Sequence, residues 1–259
     1  NIGFMVHLRY MLLPGLAGGL AAFSALYFIF RDSIDCEYST EELPEVSLNR
    51  WEVLTFSILS STILSLAFLS MKGFLLWHIG LMWAVTTFLI FGISEIIFSR
   101  EHDYLKQIND KMPWEVVPFL TGFFLIVQAF SATGLISTAS QLLYSILGES
   151  TLSTVFSVGA LSTLSANLLN NIPMTVLFSD ILSEFASGKQ QLAAVFSLIL
   201  GSNIGANITP IGALAGIMWI KMVNHRDKKI TFREFLNYGL KTTSVTAIVS
   251  LSVLYLVLI

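Results

Sequence analysis

Long apolar segments alternate with short polar connections along most of this chain. Six apolar runs cover residues 11–30, 53–71, 73–98, 116–130, 192–220 and 238–259. A helix needs roughly 20 consecutive apolar residues to cross a bilayer, and most of the runs reach or approach that length. The pattern therefore predicts an all-α integral membrane protein, a polytopic helix bundle that passes through the cell membrane several times.

The pattern changes between residues 130 and 192. Residues 135–147 place their apolar side chains on one helical face, with serine, threonine and glutamine opposite, which predicts an amphipathic helix along the membrane interface. Two apolar arms follow and meet at residues 170–173, and each is expected to be too short to span the bilayer. The sequence favours a re-entrant hairpin over about 151–188, with a single proline-kinked spanning helix as the alternative. A broken helix is predicted next, over about 190–220.

The composition fits this topology. Of the 259 residues, 54% are hydrophobic and 12% are charged, against about 25% charged in an average soluble domain. The net charge of -3 gives no sign of a nucleic-acid partner, so the lipid bilayer is the main partner expected. Cys36 is the only cysteine, which argues against a disulfide framework or a cysteine-rich metal site. No catalytic residue, metal or resident cofactor is expected.

The lysine and arginine residues give an orientation. Ten of the 14 lie in the connections 31–50, 100–111 and 221–233. Such residues concentrate in cytoplasmic loops, so these three connections are predicted to lie inside. The hairpin then enters from the outer side.

Two polar stretches interrupt the apolar pattern, at residues 170–175 and 201–212. Hydrocarbon offers no hydrogen-bond partners, so amides and broken backbone are tolerated at that depth only where protein or a solvated cavity satisfies them. Several uncharged side chains there can coordinate a small cation or bind an oxygen-rich solute. They are Asn170, Asn171 and Thr175 in the first stretch, and Asn203, Asn207 and Thr209 in the second.

The same stretches contain residues that disfavour continuous helix. Pro173 is predicted to open the backbone at Ile172, while the second stretch carries Gly201, Gly205, Pro210 and Gly212. Half-helix ends would add partial charges to a binding site. The alternative is that small residues and amides only pack helices together.

Asp180 and Glu184 lie one helical turn apart on the second arm of the predicted hairpin. Two carboxylates at this spacing can form a relay for protons or cations. The alternative is that both cap a solvated outer end of the hairpin.

Several motifs resemble the arsenical pump membrane protein family and its relatives in the ion transporter superfamily. Residues 113–117 (Pro-Trp-Glu-Val-Val) are similar to the family's Pro-Trp-x-Val-Val helix, and residues 170–173 match its Asn-Asn-x-Pro hairpin. Residues 208–215 are close to its Thr-Pro-Ile-Gly stretch, and residues 230–232 to the opening of its last helix. The matches extend from about residue 51 to residue 238.

The resemblance implies a fold of two inverted repeats that share one site. Residues 1–50 would be the last helix of the first repeat and a cytoplasmic linker, and residues 51–259 the second repeat. The missing half would come from an N-terminal repeat or from a second copy, which allows a homodimer.

The resemblance also implies a secondary transporter, not an enzyme, for arsenite or antimonite as a small oxyanion or neutral oxyacid. Where arsenite permeases often carry an aspartate and a Pro-Lys pair, this chain has Asn203, Ala206 and Asn207. A sodium-coupled carrier of di- or tricarboxylates or other anions and a sodium/proton antiporter are therefore alternatives, with Na⁺ or H⁺ as the coupling ion. A membrane-embedded enzyme is disfavoured, because no nucleophile has a base beside it in the polar stretches.

Overall fold

All regular secondary structure in the described part of the chain is helical. The computed structural model describes residues 3–34, 49–98, 110, 114, 116–147, 150–183, 188–224 and 229–259. The helices are α1 (Phe4–Ile34), α2 (Arg50–Met71), α3 (Leu76–Phe98), α4 (Val116–Ala132), α5 (Leu135–Leu147), α6 (Thr151–Leu169), α7 (Asn171–Ser183), α8 (Lys189–Gly205), α9 (Leu214–Asn224) and α10 (Phe232–Leu258). The predicted all-α fold is confirmed.

Five of these helices, α1, α2, α3, α6 and α10, are long and apolar enough to cross a membrane. The helices α4 and α5 would count as a sixth span if taken together, although they are bent by 79° at their junction. Large apolar side chains on these helices are widely exposed, for example Phe56 at 71% and Leu20 at 69%. Apolar surface of this extent requires lipid or protein to cover it. The chain is a multi-pass membrane protein.

The chain divides into two compact units. The first comprises residues 1–7 and 36–116 and contains α2 and α3. These two helices are joined by a hydrogen bond of 2.6 Å from Trp83 Nε1 to Ser65 Oγ. The rings of Trp51 and Phe91 also lie 6.0 Å apart between centroids.

The second unit comprises residues 8–35 and 117–259. Its centre is the packing of α6 against α8, the most extensive helix–helix contact in the described residues. Small residues allow this approach: a Cβ on Gly201 would lie 2.5 Å from the carbonyl oxygen of Gly159, and one on Gly205 would lie 2.5 Å from that of Thr163. Backbones that meet this closely are typical of glycine contacts between membrane helices.

Both predicted hairpin arms are helical and pack against α8. The buried residues Val158 and Ala166 of α6 and Phe178 and Leu182 of α7 belong to one cluster with residues of α8. The prediction that both arms are too short is wrong for α6, whose 19 residues meet the length and hydropathy of a spanning helix. The re-entrant position of the pair in a bilayer stays a prediction.

The amphipathic helix forms as α5, but its buried stripe differs from the predicted face. Ile136, Ser140 and Leu143 are buried, while Leu135 and Leu142 are exposed. Positions i, i+4 and i+7 share one side of a helix, and the small side chain of Ser140 fits between its two apolar neighbours. The sequence pattern placed the serines of this helix on the polar face, and Ser140 lies instead on the buried side.

Candidate functional site

The junction between α6 and α7 is a single residue, Asn170. Its φ of 68° and ψ of 150° lie in a region that is costly for any residue other than glycine. Its side chain is 8% exposed, and Nδ2 donates a hydrogen bond of 3.2 Å to the carbonyl oxygen of Ile211. The neighbouring backbone N–H of Asn171 donates to the carbonyl oxygen of Gly212 at 3.0 Å. The hairpin tip is thus attached to the interruption between α8 and α9.

The break in the first polar stretch lies at Asn170 and not at Ile172, where Pro173 was predicted to open the backbone. Ile172 and Pro173 belong to the first turn of α7. Proline is tolerated there, because its missing N–H would have no partner within the helix in any case. Met174 N donates to Asn170 O at 3.2 Å and so begins the regular helical bonding.

Asn167 on α6 is the residue at the centre of this site, and the sequence reasoning missed it. Its Oδ1 accepts from the backbone N–H of Thr209 at 3.0 Å and from the Thr209 hydroxyl at 2.9 Å. Its Nδ2 donates to the carbonyl oxygens of Gly205 and Thr163, both at 2.9 Å. One amide therefore satisfies all four of its positions while it ties α6 to the end of α8 and to the residues beyond it. The sequence signal was a third asparagine, one turn before Asn170.

The interruption itself covers residues 206–213, between α8 and α9. It contains the predicted Pro210, which is buried, and Gly212. A Cβ on Gly212 would lie 2.6 Å from the carbonyl oxygen of Ala206 and 2.9 Å from Asn167 Oδ1. Glycine is required here because the chain folds back upon itself.

A third helix closes onto this segment through Gly239 of α10. A Cβ at this position would lie 2.5 Å from the carbonyl oxygen of Asn207 and 2.7 Å from that of Ile208. The sequence reasoning did not identify Gly239. A glycine inside a long apolar helix was its only signal.

Gly201 and Gly205 lie differently with respect to the interruption after α8. Gly201 lies inside α8, a full turn before the interruption, and faces Ser162 of α6. Gly205 is the last residue of α8. Both serve the contact between α6 and α8, which corresponds to the packing alternative.

Asn203 in the last turn of α8 and Asn207 in the interruption that follows are both exposed. The Nδ2 of Asn203 donates to Ile199 O at 2.8 Å, and the Nδ2 of Asn207 donates to Asn203 O and Ile204 O, both at 3.2 Å. Within the described residues, the Oδ1 atoms of both side chains accept no hydrogen bond. Two uncharged acceptors one helical turn apart are therefore available to a solute or a cation.

The remaining predicted residues have different positions. The hydroxyl of Thr175 donates within α7, to Asn171 O at 2.7 Å, and the Asn171 side chain makes no hydrogen bond to any described residue. Asp180 lies ten residues after Asn170 along α7, about 15 Å from the tip at 1.5 Å per residue, so the fold does not bring it to the amides. Glu184 lies outside the described residues, and the relay stays a prediction.

The N-termini of α7 and α9 lie at this site, and they differ in whether their backbone N–H groups have partners. The first turn of α7 is used within the protein through Asn171 and Met174. In the residues that lead into α9 and in its first turn, the backbone N–H groups of Ile211, Ala213 and Ala215 donate to no described residue. A helix N-terminus carries partial positive charge, so the start of α9 attracts oxygen atoms that carry negative charge. Among the described residues, no group of three or more His, Cys, Asp or Glu side chains is placed to hold a metal ion.

Comparison with known proteins identifies the family. The model of the family described as arsenical pump membrane protein matches residues 1–258. This chain belongs to the arsenical pump membrane protein family. Asn170, Asn167 and the interrupted α8–α9 pair are thus features of a member of this family.

Several curated proteins match this chain at low sequence identity. The arsenical pump membrane protein of Yersinia enterocolitica is 25% identical over 262 residues, which cover 99% of this chain and 59% of the relative. One from Escherichia coli is 24% identical with the same coverage. A 46 kDa membrane protein of Mycobacterium leprae is 27% identical over 170 residues, or 64% of this chain and 38% of the relative. The chain spans about 59% of the length of the arsenical pump relatives. No solved structure matches it significantly.

Proposed function

We propose that this chain forms part of a secondary transporter of the arsenical pump type, which moves arsenite or antimonite across the membrane by alternating access. The observation that carries the proposal is the attachment of the α6–α7 tip to the interrupted α8–α9 pair, through Asn167 to Thr209 and through Asn170 to Ile211. Irregular backbone is tolerated at membrane depth where it lines a cavity. Broken helices of this kind form the substrate sites of many transporters.

The uncharged character of the site favours a neutral oxyacid. The hydroxyl groups of arsenous or antimonous acid would donate to the free Oδ1 atoms of Asn203 and Asn207. The oxygen atoms of the acid would accept hydrogen bonds from the N–H groups at the start of α9. A site without a fixed charge avoids the desolvation cost that an ionised side chain would carry.

A sodium-coupled anion carrier is the second candidate, and the same two Asn Oδ1 atoms favour it. Amide oxygens are ligands for hard cations, and an anion would then bind at the N-terminus of α9. In this case a Na⁺ gradient would drive transport.

Proteoliposomes of the full-length protein distinguish the two candidates. We expect uptake of arsenite or antimonite that persists when Na⁺ is replaced by K⁺ on both sides, with empty liposomes as the control. Sodium-dependent uptake of a di- or tricarboxylate, without arsenite movement, would overturn the arsenite proposal and support the second candidate.

A further inference from the structure

A groove runs between α1 and α10, and none of the residues that line it belongs to the site described above. Its volume is about 470 Å³. The residues that line it are Ala21, Ser24, Ala25, Phe28 and Ile29 of α1, and Lys241, Val245 and Val249 of α10. The Ser24 hydroxyl donates to Leu20 O within its own helix at 2.8 Å, so the walls are apolar apart from the lysine.

Contacts at both ends define the groove. At one end Gly18 meets Ser250, and a Cβ on Gly18 would also lie 3.6 Å from Thr246 Cγ2. At the other end the rings of Phe30 and Tyr238 lie 5.0 Å apart between centroids. Between these contacts the small side chains of α1 leave the helices separated. Lys241 and Val249 are eight residues apart, so the groove extends over about 12 Å of helix.

Lys241 is the only charged residue that lines the groove, and it makes no ion pair or hydrogen bond with the described residues. It lies inside a helix that is apolar enough to span the membrane, where a charge without a partner is expensive. Tyrosine side chains concentrate at the membrane interface, and Tyr238 is only three residues away. The lysine stem can therefore extend to the headgroup level and place its ammonium group there.

We propose that this groove binds one anionic phospholipid, with an acyl chain along the apolar walls and the phosphate against Lys241. Charge complementarity selects this occupant, because the apolar walls match an acyl chain and the unpaired ammonium matches a phosphate. The predicted orientation places this end of α10 at the cytoplasmic leaflet, which carries the anionic lipids. The proposal does not depend on the transported substrate.

Native mass spectrometry of the full-length protein tests the charge requirement, with phosphatidylglycerol and phosphatidylcholine as the added lipids. The electrostatic attraction between one lysine and an anionic headgroup corresponds to roughly a fivefold preference for the anionic lipid. We expect Lys241→Met to remove this preference and Lys241→Arg to retain it. Lys72→Met is the matched control, because Lys72 is an exposed lysine at the end of α2. An unchanged preference in Lys241→Met would overturn the proposal.

A photoactivatable phosphatidylglycerol with the reactive group in its acyl chain tests the location in liposomes. We expect adducts on peptides that contain residues 21–29 and 241–249. Ala25→Leu should reduce these adducts because it fills the groove, whereas Ala84→Leu, at an exposed alanine of α3, should not. Absence of adducts on both peptides would overturn the proposal.

Discussion

Asn167 on α6 accepts two hydrogen bonds from Thr209, one from its backbone N–H at 3.0 Å and one from its hydroxyl at 2.9 Å. The two residues lie 42 positions apart in the sequence. The conformation of the interruption after α8 therefore depends on a side chain of the preceding hairpin. A movement of the hairpin relative to α8 would therefore change the conformation of the interruption as well.

Replacing Asn167 tests this relationship. Asn167→Ala leaves the N–H of Thr209 and the carbonyl oxygen of Gly205 without their partner, and we expect a loss of about 1–3 kcal/mol in the free energy of unfolding. Asn167→Asp keeps the acceptor but turns a carboxylate oxygen toward the carbonyl oxygens of Gly205 and Thr163, and because a part-buried charge without a donor is costly, its effect should be at least as large. Thermal unfolding in detergent measures both. Asn237→Ala, at an exposed asparagine of α10, is the matched control, and an Asn167→Ala protein as stable as that control would contradict the prediction.

Substitutions at Asn170 distinguish the cost of its positive φ from the contribution of its side-chain hydrogen bond. Asn170→Gly removes the cost of the positive φ but also the bond to Ile211, so the two effects should nearly cancel. Asn170→Ala loses the bond and keeps the strain, and the strain alone is worth about 1–3 kcal/mol. We expect the midpoint of thermal unfolding to be clearly lower for Ala than for Gly. Equal midpoints would show that the φ of Asn170 carries no cost.

Gly205 tests the packing of α8 on α6. A Cβ there would lie 2.5 Å from Thr163 Cα and from Thr163 O, and backbone atoms cannot move aside as a flexible side chain can. We expect Gly205→Ala to lower stability by roughly 1–3 kcal/mol, the usual cost of overpacking. Gly122→Ala is the control in α4, where nothing lies within 4 Å, and it should be neutral or stabilising because alanine favours helix. Similar unfolding temperatures for the two variants would argue against the close contact.

Asn203 and Asn207 test the proposed solute contacts. Both side chains are exposed and donate only to backbone carbonyl oxygens of the last two turns of α8, so Asn203→Ala and Asn207→Ala should change stability little. Loss of one or two hydrogen bonds to the solute predicts a decrease of roughly 5- to 30-fold in Vmax/KM for arsenite uptake. Thermal unfolding measures the effect on stability, and proteoliposome uptake measures the effect on transport. Asn237→Ala is the control in both measurements. Unchanged uptake in the double variant would favour a packing role for the second polar stretch.

Much of this fold could be predicted because its signals are local. The runs at residues 53–71 and 238–259 correspond to α2 and α10, since length and apolar composition alone determine whether a helix suits a bilayer. The interruption at Pro210 and Gly212 was also predictable from residue type. The narrow buried stripe of α5 could not be predicted in this way. Neighbouring helices and lipid both cover apolar side chains, so the sequence does not show which apolar face each of them covers.

The candidate site could be predicted only in part. The sequence identified the asparagines at its two polar stretches because an amide in an apolar run is conspicuous. It could not tell that Asn167 would bond across the site while Asn203 and Asn207 donate only to nearby backbone, because two of the partners of Asn167 lie 38 and 42 residues away.

The sequence by itself determined that this is a helical membrane protein with two polar interruptions, because hydrophobicity and helix-breaking residues act over one or two turns. The tertiary structure decided what each polar or small residue does. Gly201 and Gly205 pack helices, Asn167 joins the two interruptions, and within the described residues the Oδ1 atoms of Asn171, Asn203 and Asn207 accept no hydrogen bond. That choice depends on which backbone carbonyl and N–H groups come within 3 Å of each side chain, and packing between distant helices sets those distances.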